Sequence, residues 1–590
     1  MYRTDRVIFN YRSNQVVPEH IEPLVGYLDT SIPEDWEIYI EPFLNGLTPD
    51  ILLMNSQRGI HIIECKPELD VSIRRLQDMV DEIKELYCPR IQVHSQKSKG
   101  KTSNIFTSYA DLTSSWDELN NNLSGFNKLP PHFSILSKES LNQGFADSFK
   151  LMKDGQEFSF NPLYAEDLRS WLRPSEFTLD HNEAFPKLDK KQQDLALKVT
   201  PRLQRFTGSA GSGKTIVLAS KAANLIADGK KVLFLTFNIT LINYIRGLVF
   251  RNLATLLDGE IKKPIGSIEI RNYHRFAKHF LKTVKGNSGW GKAYDELWSE
   301  YEYQLVLNEK LPNLVTRCVK ESTLHDAEMF DAVLIDEGQD FHPLWWENTK
   351  LFLRDVGQAC FVFDFTQDLY RKKSLWPEQK FTGSGFPRGA VARLGISYRL
   401  PNLYLPKIKH FLKLFHSELD AEKLGINFPE TNPQNNLFEG CNASWIQIDD
   451  EVSNDQCVQA LCDYTPLDSD SFSYSSLLFL AMTNECGLQI CSALNARNIS
   501  VTHTFGSKDD GLSRSLKTAF SLHKNHPIKA TTIHSAKGLE SSMLVLQIQP
   551  GAKISHVYTA LTRLRMGANE QCSIIVVCSD PKYADYGKSW

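Results

Sequence analysis

Hydrophobic and polar positions fall into two recurring patterns along this chain. From Thr48 to Pro67 the run TPDILLMNSQRGIHIIECKP places two apolar stretches on either side of a polar turn, which predicts a β-hairpin. With its flanks, roughly the first 90 residues read as helix, strand, hairpin, helix. From Arg202 onward short, nearly unbroken apolar runs (RLQRFTG, KVLFLTF, SIEIRNYH, FDAVLIDE, ACFVFDF) alternate with helical stretches. Such runs suit strands covered on both faces, as in a parallel sheet. A second series, SLLFLAM, ISVTHTF, KATTIHS, SMLVLQI and CSIIVVC, repeats the pattern. An α/β protein is therefore expected, with two tandem α/β domains behind a smaller N-terminal one. Polar, turn-rich segments (His94–Asn104 and SSWDELNNNLSG) predict exposed loops, and the proline- and charge-rich LRPSEFTLDHNEAFPKLDKKQQ predicts a linker. The expected boundaries are 1–170, a linker over 171–187, then 188–385 and 386–590.

Composition narrows the function classes. A chain of 590 residues is too long for one core. No apolar run approaches the roughly 18 residues of a membrane span. The start, MYRTDRVIFNYRSNQ, lacks the apolar stretch of a secretory signal. Eleven scattered cysteines without a CxxC pair fit a reducing compartment, so a cytoplasmic location is expected. A net charge of −4 gives no global basic field, and a nucleic-acid partner would have to use a local basic channel.

The strongest chemical signal is GSAGSGKT, Gly208–Thr215, preceded by an apolar strand and followed by a helical run. Gly208, Gly211 and Gly213, with Ser212 among them, let backbone N–H groups turn inward around a triphosphate. Lys214 reaches its terminal phosphates, and the Thr215 hydroxyl ligates Mg²⁺. Downstream, FDAVLIDEGQD carries Asp336 and Glu337 to a strand's carboxyl end, where ligands of open α/β sheets collect. Asp336 is placed to hold the Mg²⁺ and Glu337 to orient or deprotonate the attacking water.

From Leu188 to Val577 the chain resembles the UvrD/Rep-type superfamily 1 helicases. LDKKQ resembles their Q motif, which implies that Gln192 reads adenine. LTFN resembles a segment contacting single-stranded DNA, with Thr236, Phe237 and Asn238. NYHRFA resembles its partner segment, Tyr273 and His274 standing where Phe-His is usual. FDFTQDLY offers Gln367 as the γ-phosphate sensor, and SYR replaces the common NYR, implying Tyr398 on adenine and Arg399 on the γ-phosphate. TTIHSAKGLE is close to motif V, implying His534 at the nucleic acid and Glu540 at the nucleotide; YTALTR is close to motif VI, with Arg563 as a second arginine finger. The resemblance implies two RecA-like domains closing on ATP and moving along DNA. Bases would stack on Phe237 and Tyr273, while Tyr370 and Trp376 are better read as packing. The segments Ala277–Phe330 and Arg399–Thr531 leave room for only small accessory insertions, which puts strong duplex unwinding in doubt.

The hairpin carries a second constellation. Asp50 opens one strand while Glu64 and Lys66, two apart, close the other on one face. Two carboxylates beside a lysine suit a Mg²⁺ or Mn²⁺ site that activates water; solvated strand ends are the alternative. The D-x13-E-x-K arrangement resembles the PD-(D/E)xK nucleases and, within them, the nuclease-related NERD domain. That implies a metal held by Asp50 and Glu64, a first-motif carboxylate from Glu19 or Glu22, and Gln77 as the helix glutamine. A nuclease fused to a DNA motor is the implied whole, in repair or antiphage defence. A non-cutting N-terminal domain and a regulatory ATPase are the alternatives, and a partner protein or self-assembly is open to each.

Overall fold

The structure, a computed structural model, describes residues 7–9, 17–56, 59–65, 68–86, 105–123, 126, 129–139, 168–169, 172, 188–237, 241–257, 266–284, 289–322, 324, 326–364, 386, 391–415, 440–463, 477–505, 528–536, 539–566 and 571–590. It divides into two compact units, Met1–Asn182 with Leu257–Ile265, and Glu183–Leu256 with Gly266–Trp590. No helix among the described residues is long and apolar enough to cross a membrane.

The first unit holds a six-stranded sheet of β1 (Val7–Phe9), β2 (Glu37–Ile40), β3 (Ile51–Asn55), β4 (Gly59–Glu64), β5 (Ile105–Asp111) and β6 (Phe133–Ser137), neighbours in that order. The hairpin β3–β4 is antiparallel with Ile51 opposite Ile63, which sets Asp50 beside Glu64. Every residue of both strands is buried. Ile51, Leu53 and Ile63 share a core with Leu24, Val25 and Leu28 of helix Glu22–Ser31, while helix Leu69–Leu86 packs on β4 and β5. The short β1 was not expected; three residues carry no readable period.

The second unit contains two parallel sheets. The first comprises β7 (Leu203–Gly208), β8 (Lys231–Thr236), β9 (Ser267–Arg271), β10 (Phe330–Asp336), β11 (Leu353–Phe363) and β12 (Ala392–Leu394), in the order β12-β7-β11-β10-β8-β9. The second comprises β13 (Gly440–Gln447), β14 (Leu477–Ala481), β15 (Val501–His503), β16 (Ile528–Thr532), β17 (Met543–Ile548) and β18 (Gln571–Cys578), in the order β13-β18-β17-β14-β16-β15. Each apolar run read from the sequence supplies one of these strands. Two edge strands, β12 and β13, escaped that reading because β12 has only three residues and β13 is partly exposed along its whole length, so neither shows a continuous apolar run. Since β12 pairs with β7, the first sheet extends past the expected boundary at 385 and takes in residues as far as Leu394. Most of the expected linker, 173–187, lies outside the described residues.

Parallel pairing in register brings the carboxyl ends of β7, β8, β10 and β11 to one edge. Thr236 lies opposite Asp336, and Thr207 opposite Phe363. Beneath that edge, Trp346 is fully buried and meets Phe361 edge-on at 5.1 Å between ring centroids. Truncating it leaves a cavity that close-packed neighbours fill poorly. Trp346→Ala is expected to destabilise this unit by about 3–5 kcal/mol, read from its urea midpoint at unchanged slope.

Candidate nucleotide and nucleic-acid site

At Gly208 the chain leaves β7, turns through five residues and enters helix Lys214–Ala227. Gly211 and Gly213 hold φ of +77° and +78°. At Gly211 a Cβ would come within 2.6 Å of both Arg399 Cβ and Ser397 Oγ, so that position admits only glycine. Inside the loop, Lys214 Nζ donates to Gly208 O (3.0 Å), Ser209 O (2.9 Å) and Asp364 Oδ2 (3.0 Å). Among the described residues the buried Ser212 hydroxyl has no hydrogen-bond partner, and it is a donor in waiting.

Thr215 Oγ1 donates to Asp336 Oδ2 at 2.8 Å. Burial, with the Glu337 charge beside it, pushes the Asp336 carboxyl up to about 7. A buried carboxylate short of positive charge, touching a hydroxyl, fits a hard divalent cation with oxygen ligands, so these residues suit Mg²⁺. Glu337 has left-handed backbone, φ 54°, a conformation that costs a non-glycine residue of order 1–3 kcal/mol and concentrates at functional sites. Gln339 donates to Glu337 Oε2 and accepts the Asp364 N–H at 2.9 Å. One hydrogen-bonded run thus leads from Lys214 through Asp364 and Gln339 to Glu337. Asp364 was missed as a functional residue; its signal was its place closing the ACFVFDF strand at the phosphate edge.

After β12 the chain crosses the phosphate loop. Ser209 N–H donates to Leu394 O (3.2 Å), Ser397 Oγ to Ala210 O (3.0 Å), and Tyr398 N–H to Gly211 O (2.9 Å). Arg399 Nε then donates to Glu540 Oε2 at 2.6 Å. Although burial acts to raise it, Arg399, Arg565 and Arg563 hold Glu540 below the ordinary carboxylate range. Arg563, 1% exposed, donates from Nε to Thr559 O at 2.9 Å, and burial together with the nearby Arg399 charge pushes it down to about 10. Lys214, Thr215, Glu337, Tyr398, Arg399 and Arg563 all line one cavity of about 230 Å³.

Gln192 lines the same cavity, but both ends of its amide are engaged. Its Oε1 accepts the Asp189 N–H at 2.9 Å in a capping box, and its Nε2 donates to Ser212 O at 3.1 Å. The Tyr398 hydroxyl donates to Asp189. As placed, the two residues expected at adenine are joined to the helix cap beside the phosphate loop.

On the expected nucleic-acid side, Thr236 is buried while Phe237 is 42% exposed. Tyr273 is not available to a base: it is 2% exposed, with its hydroxyl on Asn348 and its ring stacked on Trp345 at 5.0 Å. The reason is helical spacing. Tyr273, Phe276, Ala277 and Phe280 form one buried stripe of helix Tyr273–Thr283. Burial also pushes the His274 imidazole down to about 4. His534 is exposed, its ring centroid 4.0 Å from that of His556. Asn238, Gln367, Tyr370 and Trp376 lie outside the described residues.

In the first unit Asp50 (1% exposed) and Glu64 (0%) do meet, the Asp50 N–H donating to Glu64 Oε1 at 3.3 Å. Asp50 Oδ2 accepts the Cys65 N–H at 2.7 Å, and His20 Nε2 lies 3.9 Å from Oδ1. The Glu64 carboxylate is gripped by Arg75, with Nε 2.7 Å from Oε2 and Nη2 3.4 Å from Oε1; Nη2 also donates to Thr48 O at 2.7 Å. No group of three His, Cys, Asp or Glu residues among those described is arranged around a metal. With Arg75 already supplying the positive charge, the pair does not fit a divalent cation in this arrangement. Arg75 and His20 were both missed by sequence reasoning; the Arg74-Arg75 pair on the following helix was the available signal. Gln77 donates to Asp81 at 3.1 Å on its own helix, and both Glu19 and Glu22 are exposed. Lys66 lies outside the described residues.

Residues 188–326 match the family described as the UvrD/REP helicase N-terminal domain. No curated protein matches the chain. Among solved structures it is similar to a variant of S. cerevisiae Dbp5 bound to Nup159, Gle1, IP6 and ADP, at 12% identity, covering 69% of this chain and 88% of that one, with a TM-score of 0.38.

The Asp336 carboxyl gives a pH prediction. The folded protein keeps a proton there up to about pH 7, whereas an unfolded Asp releases it near 4. This group therefore stabilises the fold at acid pH, and the contribution is lost as pH rises from about 4 through about 7. A cation at Thr215 and Asp336 needs the ionised form. The Mg²⁺ concentration giving half-maximal thermal stabilisation should rise several-fold between about pH 8 and about pH 6; a flat profile over that range contradicts the assignment.

Proposed function

We propose that this chain is a helicase of UvrD type, an ATP-driven motor that moves along single-stranded nucleic acid, DNA in the first instance, in antiphage defence or repair. The observation that carries the reading is convergence on a single cavity. Lys214 and Thr215 enter it from the first sheet's phosphate loop, Glu337 from the turn after β10, and Arg399 and Arg563 from chain beyond that sheet. Such a set serves phosphoryl transfer, in which positioning and charge stabilisation do nearly all the work.

Lys214 exchanges the Gly208 and Ser209 carbonyls for phosphate oxygens, and Ser212 adds its unused hydroxyl. Thr215 and Asp336 would hold Mg²⁺, which would supply positive charge against the phosphates. Glu337 accepts a proton from, or orients, the attacking water. Arg399 leaves Glu540 for the γ-phosphate and Arg563 joins it, which draws the parts bearing the two arginines toward the phosphate loop; hydrolysis lets them part. Phe237 offers its exposed ring to a base, and repeated closure moves the strand.

The test is ATP turnover with and without single-stranded DNA or RNA. Turnover is expected to rise with the strand and to vanish in Lys214→Ala. Arg399→Ala should lower kcat by about two to three orders of magnitude with the fold intact. Turnover indifferent to every strand would favour a regulatory ATPase, and wild-type turnover in Lys214→Ala would sink the phosphate site.

A second reading, that the N-terminal unit cuts DNA, starts from Asp50 and Glu64 being buried side by side at the hairpin end, where the Asp50 backbone N–H and not its carboxylate meets Glu64. Cutting would require Arg75 to release Glu64. If the unit cuts, the wild type yields products with Mg²⁺ or Mn²⁺ and Asp50→Ala and Lys66→Ala yield none. Binding without products on single-stranded, duplex and tailed DNA selects a non-cutting module.

A further inference from the structure

Trp345 has no part in the phosphate chemistry, yet four separate segments of the second unit meet on its side chain. It is 3% exposed and sits on helix Pro343–Lys350, directly after the turn Gly338–Asp340 that follows Asp336 and Glu337. Its ring lies nearly parallel to Tyr273 (5.0 Å, 8°), at the start of helix Tyr273–Thr283, and to Phe237 (6.3 Å, 11°), just past the end of β8. His274 meets it edge-on at 4.6 Å and Phe341 at 5.3 Å. The indole N–H donates to Leu307 O at 2.9 Å, inside the π-helical turn Val306–Lys310 of the insertion between β9 and β10. Short π turns inside helices are rare and cluster at functional sites.

Of the two rings stacked on Trp345, Tyr273 is buried and only Phe237 reaches solvent. An exposed phenylalanine beyond a strand end would otherwise sample several rotamers and lose that freedom on taking a base. Stacking on a buried indole removes it beforehand, and an aromatic pair contributes about 0.5–1.5 kcal/mol beyond its buried area. The indole is fixed in turn by its bond to Leu307 and by its backbone connection to the turn bearing Glu337.

We infer that Trp345 is the positioning residue for strand binding: it holds the Phe237 ring so that a nucleobase stacks on its open side. Through the helix Pro343–Lys350 it also ties that ring to the turn that orients the attacking water. This rests on the motor reading above. It adds a residue that touches neither strand nor nucleotide and acts through Phe237.

The test uses the full chain with a single-stranded oligothymidylate, measuring the concentration that half-maximally stimulates ATP turnover. Stacking of one base on an aromatic side chain is worth enough that its loss should raise this concentration about tenfold. Trp345→Leu, which keeps apolar volume and removes the ring, is expected to produce that rise, and Trp345→Phe to stay within about threefold of wild type. Phe237→Ala should match Trp345→Leu, and the double variant should be no worse than either single one, since both remove one stacking platform. The inference is overturned if Trp345→Leu binds oligothymidylate as the wild type does, if Leu and Phe behave alike, or if the Trp345→Leu and Phe237→Ala effects add. Cooperative thermal unfolding of each variant establishes that it is folded, and Trp345→Phe against Phe237→Ala still completes a cycle should the Leu variant fail there. A wild type indifferent to oligothymidylate overturns the motor reading itself, an outcome distinct from a stimulated wild type with an indifferent Trp345→Leu.

Discussion

A nearly buried ammonium group organises the nucleotide end of this protein. Lys214 is 10% exposed, and its charge is met by two carbonyls of its own loop and by Asp364. Removing one partner of a buried ion pair costs several kcal/mol, because the other charge is left stranded. The loop, the end of β11 and Lys214 therefore have to arrive together. Parallel pairing makes that possible by delivering the ends of β7, β10 and β11 to one edge in register. The Lys214 contacts occupy donors that phosphate would take, so the loop holds its phosphate-binding shape through its own carbonyls.

Two acidic pairs in the chain show how surroundings, and not residue type, set chemistry. Asp336 and Glu337 stand at a sheet edge where burial and mutual repulsion push Asp336 up to about 7. That is an appetite for cationic charge. Asp50 and Glu64 are as deeply buried, but Arg75 lies across Glu64 and the Cys65 N–H donates to Asp50. Their charge is largely answered from within. Asp50 and Glu64 were expected to share a metal and Asp336 to hold one beside Glu337, and the position of one guanidinium separates the two places.

The arginines of the cavity follow the same logic. Arg399 is parked on Glu540 and Arg563 on the Thr559 and Leu539 carbonyls, so each has a partner before any phosphate is present. Exchange of partners, and not exposure of bare charge, is then the event that a nucleotide has to drive. The strap Leu394–Arg399 lies against the phosphate loop through backbone bonds, which places one of those arginines beside Gly211 with no room for a side chain there.

Patterns of short range were legible in the chain itself. The hairpin, the strands of both parallel sheets apart from their β12 and β13 edges, the glycine loop and the acidic turn all follow from period, apolar run length and glycine placement, which act over a few residues. Contacts between distant segments were not legible. Tyr273 belongs to a buried helical stripe because Trp345, Phe341 and Asn348 cover it, and Gln192 is spent on a cap and on Ser212. Asp364 stood inside FDFTQDLY without a role of its own, and Arg75 and Trp345 carried no motif; each matters through what lies across from it. Whether a carboxylate meets a hydroxyl or a guanidinium, and whether an aromatic ring faces solvent or another ring, depends on packing between elements far apart in sequence. Local sequence chooses the groups, and only the tertiary structure chooses their neighbours.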